Sequence, residues 1–88
     1  MQIIIDPHTL IRANERGASE EEIKDVLLNG TPSIAKKNRS SKWKVFSFKA
    51  ERNEKFYEQK RIEVIFIQEF GNIITVTVYV YYGKWNEL

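Results

Sequence analysis

Cysteine is absent from this 88-residue sequence, and histidine and methionine occur once each. Without cysteine there is no disulfide framework, no zinc–thiolate site and no thiol nucleophile. The single histidine, His8, leaves too few imidazoles for a dedicated metal centre. No apolar run approaches the ~20 residues that cross a bilayer. The longest, residues 73–82, is interrupted by threonines, and the opening Gln2-Ile3-Ile4-Ile5 is short and lacks a basic leader. The sequence carries no G-x-x-x-x-G-K-[ST] loop, no G-x-G-x-x-G turn and no G-x-S-x-G elbow. Nucleotide hydrolysis, dinucleotide redox chemistry and serine hydrolysis therefore drop out. These absences predict a cytoplasmic protein with no cofactor, no metal and no membrane partner.

The length fits one domain, residues 1–88. Such a chain buries only about 60 to 65 per cent of its unfolded surface, so a shallow cleft is expected rather than a deep cavity. Net charge is +2, but Lys36, Lys37, Arg39, Lys42 and Lys44 fall close together with no acid among them. A local basic patch on a near-neutral protein attracts phosphate. A solvated loop explains the same cluster.

Local signals give helices first and sheet afterwards. Residues 2–5 read as a short strand or extended lead-in. Asp6-Pro7 opens a helix to about Arg16, with Gly17 as its left-handed stop. Ser19 and Glu22 form a capping box for a second helix, with Ile23, Val26 and Leu27 inward, and Asn29-Gly30 ends it. Strands are predicted at 33–37, Trp43–Lys49, Tyr57–Gln68 and Ile73–Tyr82. Residues 50–56 read as a polar connection, and Gly71-Asn72 as a turn with positive φ. The fold class is thus α+β: two N-terminal helices on one face of a three- to four-stranded antiparallel sheet.

Strict alternation in the last strand puts Ile74, Val76, Val78 and Val80 toward the helices and Thr75, Thr77, Tyr79 and Tyr81 outside. Rings stack on bases and hydroxyls reach ribose or phosphate, although threonine and tyrosine also suit any exposed strand. On the first helix, His8, Arg12 and Arg16 share a stripe. An imidazole near a helix N-terminus is favoured neutral and can accept a proton, and arginines bind phosphate. An ordinary polar stripe paired to Glu15 or Glu20 fits the same spacing. Lys60, Arg61 and Glu63 lie on the neighbouring strand, and Trp43 is expected to cover the core, whereas Trp85 caps an edge or meets a partner. Metal-free RNA cleavage survives the exclusions, because the RNA 2′-hydroxyl is itself the nucleophile.

The run His8-Thr-Leu-Ile-Arg12-Ala-Asn-Glu15-Arg16-Gly17-Ala-Ser19, the acidic helix ending Val26-Leu27-Leu-Asn-Gly30, and the hairpin Ile62–Ile67 to Ile73–Tyr79 resemble domain-of-unknown-function family 4258. The resemblance covers nearly the whole chain. It implies a fold like that of barnase-like and RelE-like ribonucleases and a place as the toxin of a toxin–antitoxin pair. His8, Arg12 and Arg16 then match the helical positions, and Thr77 and Tyr79 the final strand. The expectation is a metal-independent endoribonuclease with His8, Arg12 and Tyr79 catalytic. Arg16, Thr77, Lys60, Arg61, Lys36, Lys37 and Lys42 would hold RNA, and a cognate antitoxin would be the protein partner. The rival expectation is a non-catalytic nucleic-acid- or protein-binding module using the exposed sheet face. Helices on the valine face would set His8 across the sheet from the tyrosine row, unless the first helix lies at its edge.

Overall fold

The computed structural model describes residues 1–85. Its elements are β1 (Ile3–Ile4), α1 (Pro7–Arg16), α2 (Glu20–Asn29), β2 (Thr31–Ile34), β3 (Ser40–Arg52), β4 (Lys55–Glu69) and β5 (Asn72–Gly83). One five-stranded sheet runs in the order β1-β5-β4-β3-β2. Four strands are antiparallel, as expected. The fifth, β1, pairs parallel with β5 through Ile3↔Ile73 and Ile4↔Ile74. The sheet is therefore mixed and larger than the sequence predicted. A two-residue strand carries no periodicity of its own. It forms because Gln2 and Ile73 join backbones at 2.9 Å and the Asn72 carboxamide accepts from Gln2 N.

Both helices begin where their side chains can satisfy free backbone donors. Asp6 accepts from His8 N at 3.0 Å, and Pro7 occupies the first turn. Ser19 and Glu22 close a reciprocal capping box at 3.1 and 3.0 Å. Gly17 ends α1 at φ 94°, and a Cβ there would run into the Tyr82 hydroxyl and the Arg52 guanidinium. That close approach packs the α1 C-terminus on the sheet: Tyr82 Oη donates to Arg16 O at 2.6 Å and Arg52 to Glu15 O at 2.9 Å.

The core lies between the helices and one sheet face. It comprises Ala13, Ile23, Val26, Leu27, Ile62, Val64, Phe66, Ile73 and Val78. Ile62, Val64 and Phe66 alternate along β4, which fixes Arg61, Glu63 and Ile65 on the opposite, outer face. Trp43, directly opposite Glu63, is also on the outer face rather than over the core.

Two bulges correct the predicted strands. Between Ser47 and Ala50 the β3–β4 register shifts, with Lys49 at φ 48°. The ladder then continues to Arg52↔Lys55, closed by Asn53-Glu54, both at positive φ. Residues 50–56 are thus mostly strand, because a two-residue turn with positive φ matches the strand twist. The second bulge is in β5: Phe66 faces Thr75 and Ile65 faces Thr77, so Val76 has no partner. One extra residue reverses every side chain before it. Ile73 and Thr75 point inward, whereas Ile74 and Val76 are outside the core cluster. The inward turn of Thr75 has a polar cause: its hydroxyl accepts from Asp6 N and donates to Thr9 Oγ1, both at 3.0 Å. At the β4–β5 turn the positive φ angles fall on Phe70 and Gly71 rather than on Asn72.

Candidate nucleic-acid interface

The outer face can be read as three rows across β3, β4 and β5: Ser41–Ile65–Thr77, Trp43–Glu63–Tyr79, and Val45–Arg61–Tyr81. The β2–β3 loop closes over the first row. A cleft of about 550 Å³ opens between them. The loop contributes Ala35, Lys36 and Arg39, the end of β2 contributes Ile34, and β4 and β5 contribute Ile65, Thr77 and Tyr79. Lys37 joins Lys36 and Arg39 around a neighbouring depression. Two cations, an apolar floor, a hydroxyl and a phenol thus converge on one opening.

A third cation, from the helix layer, stands beside the cleft at Tyr79 without lining it. α1 packs along β5, whose edge is open beyond the short β1 pairing. Arg16 extends round that edge, donates to Val78 O at 2.6 Å and stands 5.2 Å from the Tyr79 ring centroid. Arg61 lies 4.0 Å over the Trp43 ring. Guanidinium groups over aromatic faces are favourable and offer planar, cationic ends to a ligand. Ser41, 1 % exposed, donates to Glu63 Oε2 at 2.6 Å.

The structure divides the residues predicted from sequence. Lys36, Thr77 and Tyr79 line the cleft, Lys37 borders it, Arg16 touches it through Tyr79, and Arg61 shares its face. Lys60 and Lys42 are on the other face. Lys60 is 9 % exposed and donates to Gly17 O and to Glu22 Oε1, at 2.8 and 3.0 Å. Lys42 donates to Leu27 O at 2.8 Å. These two lysines dock helices on the sheet. His8 is exposed in the first turn of α1, and Arg12 pairs with Glu15 at 3.0 Å. Neither lines the cleft.

Three lining residues escaped the sequence reading, Ile34, Ala35 and Ile65. Arg39 was legible only as a member of the basic cluster, and Trp43 and Glu63 were named without their place on the outer face. The signal for Glu63 was present. Once Ile62 and Val64 are inward, Glu63 must be outward and Lys60 inward.

Two groups away from the cleft have displaced protonation. The Asp25 carboxyl is held below its ordinary value by the Lys44 ammonium, at 2.7 Å, and by the Asn29 carboxamide. Burial pushes the Tyr82 phenol up. Among the described residues no three His, Cys, Asp or Glu side chains gather as metal ligands. No described helix is long and apolar enough to cross a membrane. No family model matches this chain, and neither a curated protein nor a solved structure matches it.

Proposed function

We propose that this chain is a small RNA-binding domain of the toxin type, holding single-stranded RNA across the outer sheet face. The observation that supports it is the convergence of Lys36 and Arg39 on Ile65, Thr77 and Tyr79. Single-stranded nucleic acid is held by cations that follow its backbone and by rings that stack its bases. In this reading the fold is of the RelE/barnase-like kind, the protein works in the cytoplasm, and a cognate antitoxin covers the same face.

The test is fluorescence anisotropy with short single-stranded RNA. Lys36→Ala/Arg39→Ala is expected to weaken binding about tenfold or more, because two phosphate contacts are lost. Lys24→Ala, on α2 beyond the opposite face, is expected to change it less than twofold. Equal effects from the two variants would sink the assignment of this face.

RNA cleavage is the second reading, and one observation favours it. Arg16 brings a guanidinium to the Tyr79 ring at the cleft margin, where charge developing on a phosphate would need a cation. Cleavage by this site would depend on Arg16 and Tyr79 more than on His8 or Arg12. A 2′,3′-cyclic phosphate product lost in Arg16→Ala, but kept in His8→Ala, is the expected pattern.

A further inference from the structure

We infer that one end of the sheet docks on an anionic lipid bilayer, with apolar tips entering the interface and the cations of the β2–β3 loop holding the headgroups. The strand registers assemble that end. β2 finishes at Ile34, which pairs with Ser40 at the start of β3, and Ser40 pairs with Phe66 near the end of β4. β4 turns into β5 at Phe70-Gly71, and β1 runs parallel to the start of β5. Residues 1–2, the loop 35–39 and the turn 70–71 therefore lie at the same end. Met1, Ile34 and Phe70 are there 82 %, 96 % and 102 % exposed. Between loop and turn the outer face carries a row of isoleucines, Ile4–Ile74–Ile67, in register on β1, β5 and β4. Their neighbours Ile3, Ile73 and Phe66 belong to the core layer, so alternation turns these three away from the helices.

Phe70 breaks a local rule with no return inside the fold. It opens the two-residue turn at φ 51°, followed by Gly71 at 79°. Turns of this kind take asparagine, aspartate or glycine at the first position, and a bulky side chain there is strained. A ring fully open to solvent recovers nothing from packing. Strain kept together with exposed apolar surface marks a site whose gain lies in something bound.

Shape and charge give the partner. A partner helix seats in a groove. Side chains that stand free on separate segments are convex, and they suit a soft medium such as the boundary between headgroups and acyl chains. Lys36, Lys37 and Arg39 are exposed beside Ile34, and among the described residues none of them forms a salt bridge. Residues 30–45 contain no acid, and residues 66–74 contain only Glu69. These cations complement the negative potential of a leaflet rich in acidic phospholipid, at on the order of fivefold in partition for each. Docking of this kind needs no spanning helix. It departs from the expectation of no membrane partner, which followed from the lack of a spanning run, and it does not depend on the RNA-binding reading.

Sedimentation with vesicles of phosphatidylcholine alone, or of phosphatidylcholine mixed with phosphatidylglycerol, tests it. Wild-type partition into the anionic vesicles should exceed that into the neutral ones about tenfold or more, and fall with salt. Lys36→Ala/Lys37→Ala should remove about tenfold or more of that partition. Phe70→Asn should lower it about tenfold, the loss of one buried apolar side chain. The same variant should raise the thermal midpoint by roughly 3–6 °C, because asparagine relieves the left-handed strain. Phe56→Ser, at the β3–β4 hairpin on the opposite end, should change partition less than about twofold. Because the chain has no cysteine, Ile34→Cys can carry an environment-sensitive dye as the sole thiol adduct, and its emission should shift to the blue on anionic vesicles.

Equal partition into both vesicle types, or none into either, overturns the inference and leaves RNA binding, read by anisotropy, standing. A dye at position 34 that stays in water while the protein sediments with anionic vesicles also overturns it, because charge alone then holds the protein. Loss of stability in Phe70→Asn would make the ring part of the packing and count against it. A wild-type dimer that Phe70→Asn dissociates would give this surface to a second copy of the chain and not to lipid.

Discussion

Thr75 decides the course of the last strand more than any apolar residue does. Its hydroxyl is 3.0 Å from both Asp6 N and Thr9 Oγ1, with Thr9 wholly buried and Thr75 3 % exposed. Turning Thr75 outward would leave a backbone donor and the hydroxyl of Thr9 without partners in the interior, at about 1–3 kcal/mol for each orphaned group. That cost exceeds the loss of one ladder position, so the strand bulges at Val76 instead. Thr75→Val keeps the shape and removes the hydroxyl. It should lower unfolding stability by about 1–3 kcal/mol, measured by urea denaturation, whereas Thr77→Val should cost less than about 0.5 kcal/mol. Similar losses in the two variants would mean that the inner and outer assignments are wrong.

Between elements, polar ties reach from the helices to the sheet. Asp25 of α2 meets Lys44 of β3, and Tyr82 of β5 meets the last carbonyl of α1. They predict a stability profile with two limbs. The Asp25 carboxyl is lowered in the folded state, so its contribution is complete above the ordinary value near 3.8 and is lost as pH falls through the folded one. The pair is partly exposed, which keeps the contribution under about 1 kcal/mol. The Tyr82 phenol is raised, so the folded state keeps its proton longer, and stability declines as pH rises past the ordinary value near 10. Denaturant midpoints across pH should show both limbs, with Asp25→Asn flattening the acid one and Tyr82→Phe the alkaline one. Acid and alkaline slopes unchanged in those variants would remove both ties from the account. The same elements show what sequence reveals. Both helices and their caps were readable because Asp6-Pro7, Gly17 and Ser19-x-x-Glu22 act locally. The parallel pairing of β1 and the β5 bulge were not, because they depend on Asn72 and Thr75 meeting groups more than 60 residues away in sequence. The long β3–β4 hairpin was missed because its turn, Asn53-Glu54, carries no glycine to mark the positive φ. The site followed the same division: Thr77 and Tyr79 kept their predicted face, since they follow the bulge, while Lys42 and Lys60 went to the helix side.

Across the whole molecule, a net charge of +2 conceals a separation of cations by face. On the helix side Lys44 and Lys60 are paired with Asp25 and Glu22, and Lys42 is bound to a helix carbonyl. The outer side and its edge hold Lys36, Lys37, Arg39, Arg61 and Arg16. On the RNA-binding reading, such a distribution would draw a polyanion to one face without a strongly basic molecule. Single-stranded RNA binding should then weaken with salt as phosphates release counter-ions, with a log–log slope of about −0.7 per neutralised phosphate. Three or four contacts from this face give a slope of roughly −2 to −3, or a loss of roughly 20- to 60-fold between 50 and 200 mM salt. Removing Lys36 and Arg39 together should make the slope shallower by about 1.4, and Lys24→Ala should leave it alone. Anisotropy titrations at four salt concentrations measure it. A wild-type slope near zero would mean that RNA is not held by phosphate contacts. A slope unaffected by Lys36→Ala/Arg39→Ala would move those contacts away from the β2–β3 loop.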